Sequence, residues 1–215
     1  MSRGIEWAGR DQGISMLNAY IRPQAAAAAA PSLAAAAQTS ADELLVERIA
    51  SGDRLAMQAL FARHRTSVYR WLLRFVSDAT LAEDLLSEVF LDVWRQAGRF
   101  EARSSVSTWL LSIARYKALS ARRRRTDAEL DEQFEATVAD TSDDPEAALE
   151  KKARNESLHQ ALTKLSTEHR QVIDLIYYHE KSVEEVAQIL DVPAATVKTR
   201  MFYARKKLAV LVSGA

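Results

Sequence analysis

SVEEVAQILDVPAATVKTRMFYARKKL, Ser182 to Leu208, is the stretch on which the fold turns. Ser182-x-x-Glu185 has the form of a capping box. It opens a short helix with Val183, Val186, Ala187 and Leu190 on one face. Asp191-Val192-Pro193 then makes a tight turn, and Pro193 suits the first position of the next helix. Asp191 stands where such turns often have glycine, and Asp tolerates the left-handed conformation better than most residues. Two short helices joined by about three or four residues make a helix-turn-helix. On the second helix Val197, Met201, Ala204 and Leu208 recur at i, i+4, i+7 and i+11 and are expected to pack inward. Thr196, Lys198, Thr199, Arg200, Phe202, Tyr203, Lys206 and Lys207 fill the rest of the circumference. These residue types suit a DNA groove: Arg or Lys to guanine, Thr to a base or a methyl, Phe to a thymine methyl. The amino-terminal half is placed to read bases, with Lys206 and Lys207 holding the backbone. The plainer alternative is a solvated helix whose cations complement its dipole. The capped helix and turn before it weigh against that.

A second basic segment lies upstream. RYKALSARRRR (115–125) has six bases, Arg115, Lys117, Arg122, Arg123, Arg124 and Arg125, and no acid. Four consecutive arginines exceed what a helix C-terminus needs to satisfy its dipole, so phosphate binding is expected. The helix they end starts near SVSTWLLSIA, with Trp109, Leu110 and Ile113 expected at the core. Ahead of it, RFEARSSVS (99–107) is a loop of small polar residues that could hold an unstacked base, or merely connect two helices. Further back, TLAEDLLSEVFLDVWRQAGRF carries a broad apolar arc of Leu85, Leu86, Val89, Phe90, Val93 and Trp94. Asp84, Glu88, Leu91 and Arg95 make its opposite face. Acids there repel DNA, and Leu91 among charges is either incidental or part of a protein interface.

The periodicity predicts helices near 42–50, 53–76, 81–97 and 107–124, with Asp53 as an N-cap and Thr80-x-x-Glu83 as a capping box. No strand-like alternation appears. Residues 1–40, with AAAAAA at 25–30, read as a disordered leader. Residues 126–150 carry ten acids and no base, and read as a flexible linker. Four more helices fit 151–212. The fold class expected is therefore all-α, two small helical domains joined by an acidic linker.

Composition narrows the function. Lys+Arg and Asp+Glu are equal at 29 each, which argues against a protein that coats DNA by bulk charge. There is no cysteine, so no disulfide scaffold, thiolate zinc site or thiol sensor is built from this chain. His64, His159, His169 and His179 lack paired ligand spacing, and neither a metal nor a cofactor is expected. No apolar run reaches the roughly 20 residues of a membrane span, and no export signal is read at the start. A cytoplasmic location is expected, with no catalytic residues and no small-molecule substrate.

Taken together, these parts resemble the extracytoplasmic-function group of the sigma-70 family of bacterial RNA polymerase sigma factors. AEDLLSEVFLDVW (82–94), STWLLSIAR (107–115) with its Arg tail, and VEEVAQILDVPAATVKTRMFYARKKL (183–208) carry the resemblance, which covers about residues 42–212. It implies sigma region 2 over 41–125 and sigma region 4, with the helix-turn-helix, over 151–212. It also implies docking of Asp84, Glu88, Leu91 and Arg95 on the β′ coiled coil of core polymerase, with the β flap as a further contact. Minus-ten recognition and melting fall to Phe100, Arg103, Ser104 and Ser105 in the loop, then Tyr116, Lys117 and Ser120, with Arg122–Arg125 beside them. Minus-thirty-five recognition falls to Lys198, Thr199, Arg200, Phe202 and Tyr203. The family often has Asn where this chain has Tyr116, and Gly-Asp where it has Ala102-Arg103. Promoter DNA, core polymerase and an anti-sigma factor are the implied partners. The alternatives are a stand-alone helix-turn-helix regulator and a sigma-like adaptor that sequesters an anti-sigma factor. The regulator lacks a dimer seam, and the intact basic segments disfavour the adaptor.

Overall fold

Asp53 is the N-cap that the sequence expects, and its carboxylate accepts from the backbone N–H of Leu55 at 2.8 Å and of Ala56 at 3.1 Å. The computed structural model describes residues 33–128 and 161–213. In chain order its helices are α1 (Leu33–Ala50), α2 (Arg54–Val76), α3 (Ala79–Gln96), a 3₁₀ turn (Ala97–Arg99), α4 (Val106–Ala128), α5 (Thr167–Tyr177), α6 (Val183–Leu190) and α7 (Ala194–Ser213). Among the described residues no strand occurs. The fold is all-α, as expected.

Three boundaries differ from the sequence reading. α1 begins at Leu33, inside the stretch read as leader, because alanine is the strongest helix former and extends a helix once its amphipathic part has nucleated. α4 runs on to Ala128, three residues past the expected domain end. The start of α3 is capped by Asp78, whose carboxylate accepts from Leu81 N–H at 3.0 Å, and not by Thr80. Ser77, at φ 59°, closes α2 in the left-handed conformation, so only Ser77 and Asp78 separate the two helices and the acid directly before α3 takes the cap. The rest of the acidic linker, residues 129–150, lies outside the described residues.

The described residues form two compact units, 33–128 with 184–192, and 161–183 with 193–213. In the first, α2, α3 and α4 pack on one another with α1 alongside. Leu60, Trp71, Leu72, Leu85, Leu110 and Leu111 are fully buried at its centre. Each such side chain stabilises the fold by roughly 1.5–3 kcal/mol relative to exposure. Phe61 meets Phe90 edge-on with ring centroids 4.8 Å apart. The expected arc of α3 is buried at Leu85, Val89, Phe90 and Val93 and half-buried at Leu86 and Trp94. On α4, Leu110 is buried as expected, but Trp109 and Ile113 are only half-buried. Leu111, Ala114 and Ala118 take their places, because small residues let α4 approach its neighbours closely. The unit also holds a buried carboxylate absent from the sequence reading. Asp42, nearly closed off from solvent, accepts from Arg63 Nη1 at 2.7 Å and pairs with His64 Nε2 at 2.7 Å.

In the second unit, α5 and α7 pack together around Ala161, Leu165, Ile173, Ala204 and Leu208. Asp191, in the turn before α7, has φ 47°, the left-handed conformation the sequence allows for it.

Candidate nucleic-acid interface

α7 divides along its length as its periodicity dictates. Val197, Ala204 and Leu208 have no exposed surface, and Met201 is half-buried. Lys198, Thr199, Phe202, Tyr203, Lys206 and Lys207 are exposed, while Thr196 and Arg200 are half-buried. Phe202 and Tyr203 form an edge-to-face pair with centroids 5.4 Å apart, holding two aromatic rings in solvent. An exposed pair of large rings flanked by cations suits a partner with flat faces and negative charge. Two members of the set have protein partners. Thr199 Oγ1 donates to Ala195 C=O within the helix at 3.0 Å. Arg200 reaches back to Glu168 of α5, Nη2 to Oε1 at 3.2 Å. Glu168 is absent from the sequence reading because α5 and α7 are joined only in three dimensions. Arg205 is also basic but lies over the Tyr177 ring, 5.5 Å from its centroid, so it serves packing.

In the first unit the loop before α4 is tied at both ends. Phe100 packs on Trp109 with centroids 4.9 Å apart. Ser105 caps α4: its Oγ accepts from Thr108 N–H at 3.3 Å and lies 2.8 Å from Thr108 Oγ1. Ser105 Oγ and Thr108 Oγ1 also donate to Glu185 Oε1, at 3.1 and 2.6 Å. Between these anchors Ala102 has φ 52°, a conformation that costs an L residue roughly 1–2 kcal/mol. Arg103 is exposed and pairs with Glu101 at 2.5 Å, and Ser104 is half-buried.

Along α4, Tyr116 is 70% exposed and Ser120 half-buried. Arg122, Arg123 and Arg124 are exposed, and the Arg122 guanidinium sits 5.5 Å from the Phe75 ring centroid. Phe75 in turn stacks on Trp71. Arg125 belongs to the same helix, but its side chain lies outside the described residues. Lys117 is placed differently from its neighbours. Its Nζ lies 2.9 Å from Asp92 and 3.3 Å from Glu88, both on α3. The hydrogen bond to Asp92 raises the Lys117 pKa above its ordinary value, against the opposing effect of burial, with Glu88 adding to the rise. Asp92 had no place in the sequence reading, although its i+4 spacing from Glu88 puts both on one face of α3.

The stripe of α3 faces outward. Asp84, Leu91 and Arg95 are exposed, Leu91 at 47%, and Glu88 is half-buried at the edge nearest Lys117. An apolar side chain held among charges on a rigid helix suits a protein partner. Among the described residues no group of His, Asp and Glu is arranged to hold a metal ion. No helix among them is long and apolar enough to cross a membrane.

Residues 60–127 match the family model for sigma-70 region 2, and residues 155–208 match that for sigma-70 region 4. The chain is 32% identical over 176 residues to the RNA polymerase sigma-H factor of Pseudomonas aeruginosa, covering 78% of this chain and 91% of that one. It is 30% identical over 167 residues to the ECF RNA polymerase sigma factor SigL of Mycobacterium tuberculosis, covering 76% and 92%. Among solved structures, CnrH in complex with the cytosolic domain of CnrY aligns with a TM-score of 0.58 and 26% identity, over 81% of this chain and 98% of that one. Two outward basic surfaces on all-helical units and near full-length similarity to these relatives lead to one conclusion: the chain belongs to the extracytoplasmic-function group of the sigma-70 family and is an RNA polymerase sigma factor.

Proposed function

We propose that this sigma factor divides its work among three surfaces. The α3 stripe of Asp84, Glu88, Leu91 and Arg95 docks on the β′ coiled coil of core polymerase. The loop at 100–107 and the exposed side of α4, with Tyr116, Ser120 and Arg122–Arg125, engage and hold open the minus-ten element. α7 enters the major groove of the minus-thirty-five element with Lys198, Thr199, Arg200, Phe202 and Tyr203, while Lys206 and Lys207 hold phosphates. The observation that carries this reading is the pairing on one bundle of an exposed Leu91 among charges with an exposed run of arginines at the end of the next helix. One face suits protein and the other nucleic acid.

The mechanism is binding, without catalysis. Unstacking a base step costs a few kcal/mol, which phosphate contacts and polymerase docking offset. Arg122 already lies over an aromatic ring that holds it at the surface, so little of its freedom is lost on meeting a phosphate. Equal numbers of acids and bases leave the free chain with little bulk attraction for DNA, so polymerase supplies most of the nonspecific affinity. Such work belongs in the cytoplasm. An anti-sigma factor that covers the docking and DNA-reading faces fits the group to which the chain belongs.

The test adds the protein to core polymerase and a promoter library and sequences the transcripts. A defined promoter class with minus-thirty-five and minus-ten elements is expected. Transcription from no promoter, with the free chain shifting duplex DNA by itself, would favour the stand-alone regulator. On those promoters Arg200→Ala is expected to weaken binding by about 1–3 kcal/mol. Undiminished binding to every such promoter counts against the assignment of Arg200.

A further inference from the structure

Lys117 lies one residue from the 70% exposed Tyr116 and five to seven from the exposed Arg122, Arg123 and Arg124. We infer that Lys117 is a positioning residue that fixes the polymerase-docking helix against the minus-ten helix, and not a phosphate contact. This inference rests on the docking surface proposed for α3.

Two carboxylates one turn apart on α3 converge on the Lys117 ammonium, Asp92 at 2.9 Å and Glu88 at 3.3 Å. The Lys117 and Asp92 side chains are only 20% and 18% exposed. Swinging the ammonium out to a phosphate would leave Asp92 charged, largely shielded from water and unpaired, which is costly. The raised pKa of Lys117 has the same origin, since its charged form is the one the two acids hold. Without the cation, Asp92 and Glu88 would be like charges at i, i+4 and would repel.

Glu88 gives the cluster its consequence. It belongs both to the docking stripe and to the Lys117 pair, and it remains 43% exposed. Lys117 therefore holds the Glu88 carboxylate in one place on the docking face, while Tyr116, the residue before it on α4, is exposed. One residue thereby sets the geometry of both surfaces, and its effect on polymerase runs through Glu88.

The test uses the full chain with core polymerase. Core affinity is read by fluorescence anisotropy of labelled sigma. The salt dependence of promoter binding is read separately, with core saturating. Lys117→Met keeps the stem and removes the charge, and thermal melts check that the fold survives. Core affinity is expected to fall about fivefold, equivalent to roughly 1 kcal/mol. In the Glu88→Gln background the same change is expected to have a much smaller effect, because the two act through one contact. Lys117→Arg is expected to restore most of the affinity. The slope of log affinity against log salt is expected to stay unchanged in Lys117→Met, whereas Arg123→Ala should reduce it by roughly 0.7–0.9. A normal core affinity in Lys117→Met with a slope reduced as in Arg123→Ala overturns the inference. Leu91→Ala separates the two failures. If Leu91→Ala weakens core binding and Lys117→Met does not, the inference alone falls. If neither does, the docking reading has failed and takes the inference with it.

Discussion

Ala102 occupies a left-handed backbone position, φ 52°, in the loop that leads into α4. The family often has glycine there. Ala102→Gly removes the steric penalty, partly offset by the greater freedom of glycine in the unfolded chain. A net gain of about 0.5–1 kcal/mol is expected, a rise of roughly 1–4 °C in Tm for a chain of this size. A calorimetric Tm that falls would show that the strain is relieved elsewhere in the loop. Arg200 poses the opposite question. Its guanidinium is shared with Glu168, which is 64% exposed. Such a surface pair is worth at most about 1 kcal/mol, and the proposed groove entry of α7 brings its acid toward a phosphate backbone. Glu168→Gln is therefore expected to tighten minus-thirty-five binding about two- to threefold, as filter binding at fixed salt would show. Weaker binding would mean that Glu168 serves to aim Arg200.

At the scale of the element, two caps decide how the bundle starts its helices. Asp53 has its pKa lowered below the ordinary 3.8, first by the Ala56 N–H and then by its bond to Arg48. A depressed carboxylate contributes stability above its unfolded pKa and loses it as pH falls through the folded value. Wild type is therefore expected to outlast Asp53→Asn in thermal melts at neutral pH, with the gap closing below about pH 3.8. A gap that persists at lower pH would show that the charge is not what matters. Asp78 caps the docking helix, and Asp78→Ala is expected to cost about 1 kcal/mol, or a few degrees in Tm. The proposed docking stripe begins at Asp84, in the second turn of α3 and past the residues that the cap bonds, so core affinity should be unchanged. These elements were partly legible beforehand. Asp53 was, because Gly52 precedes it and an apolar run follows. The cap of α3 was misassigned to Thr80 because sequence spacing does not show that Ser77 turns left-handed and leaves Asp78 to open the next helix.

At the scale of the whole molecule, the proposed function splits affinity for DNA between two surfaces that total charge does not announce. The chain's net charge is zero, so promoter binding should depend on polymerase. The free chain is expected to bind duplex DNA only in the nonspecific range of about 10⁻⁴–10⁻⁶ M, and the holoenzyme at least a hundredfold more tightly. Sedimentation or anisotropy at one salt concentration settles the comparison. A free chain that binds its promoter as tightly as the holoenzyme would contradict the division of labour. What the sequence by itself determined was local: which stretches are helical, the inward stripe of α7, the outward stripe of α3, and the basic runs. Those follow from period and side-chain chemistry within one helix. Only the tertiary structure decided which of these cations an acid of a neighbouring helix holds. Lys117 and the arginines after it look alike in the sequence, yet Asp92 and Glu88 take Lys117 because α3 packs on α4. Arg200 and Lys198 likewise look alike, yet Glu168 on α5 takes one of them. Each of these two cations is committed by an acid near to it in space, and that neighbour comes from another helix.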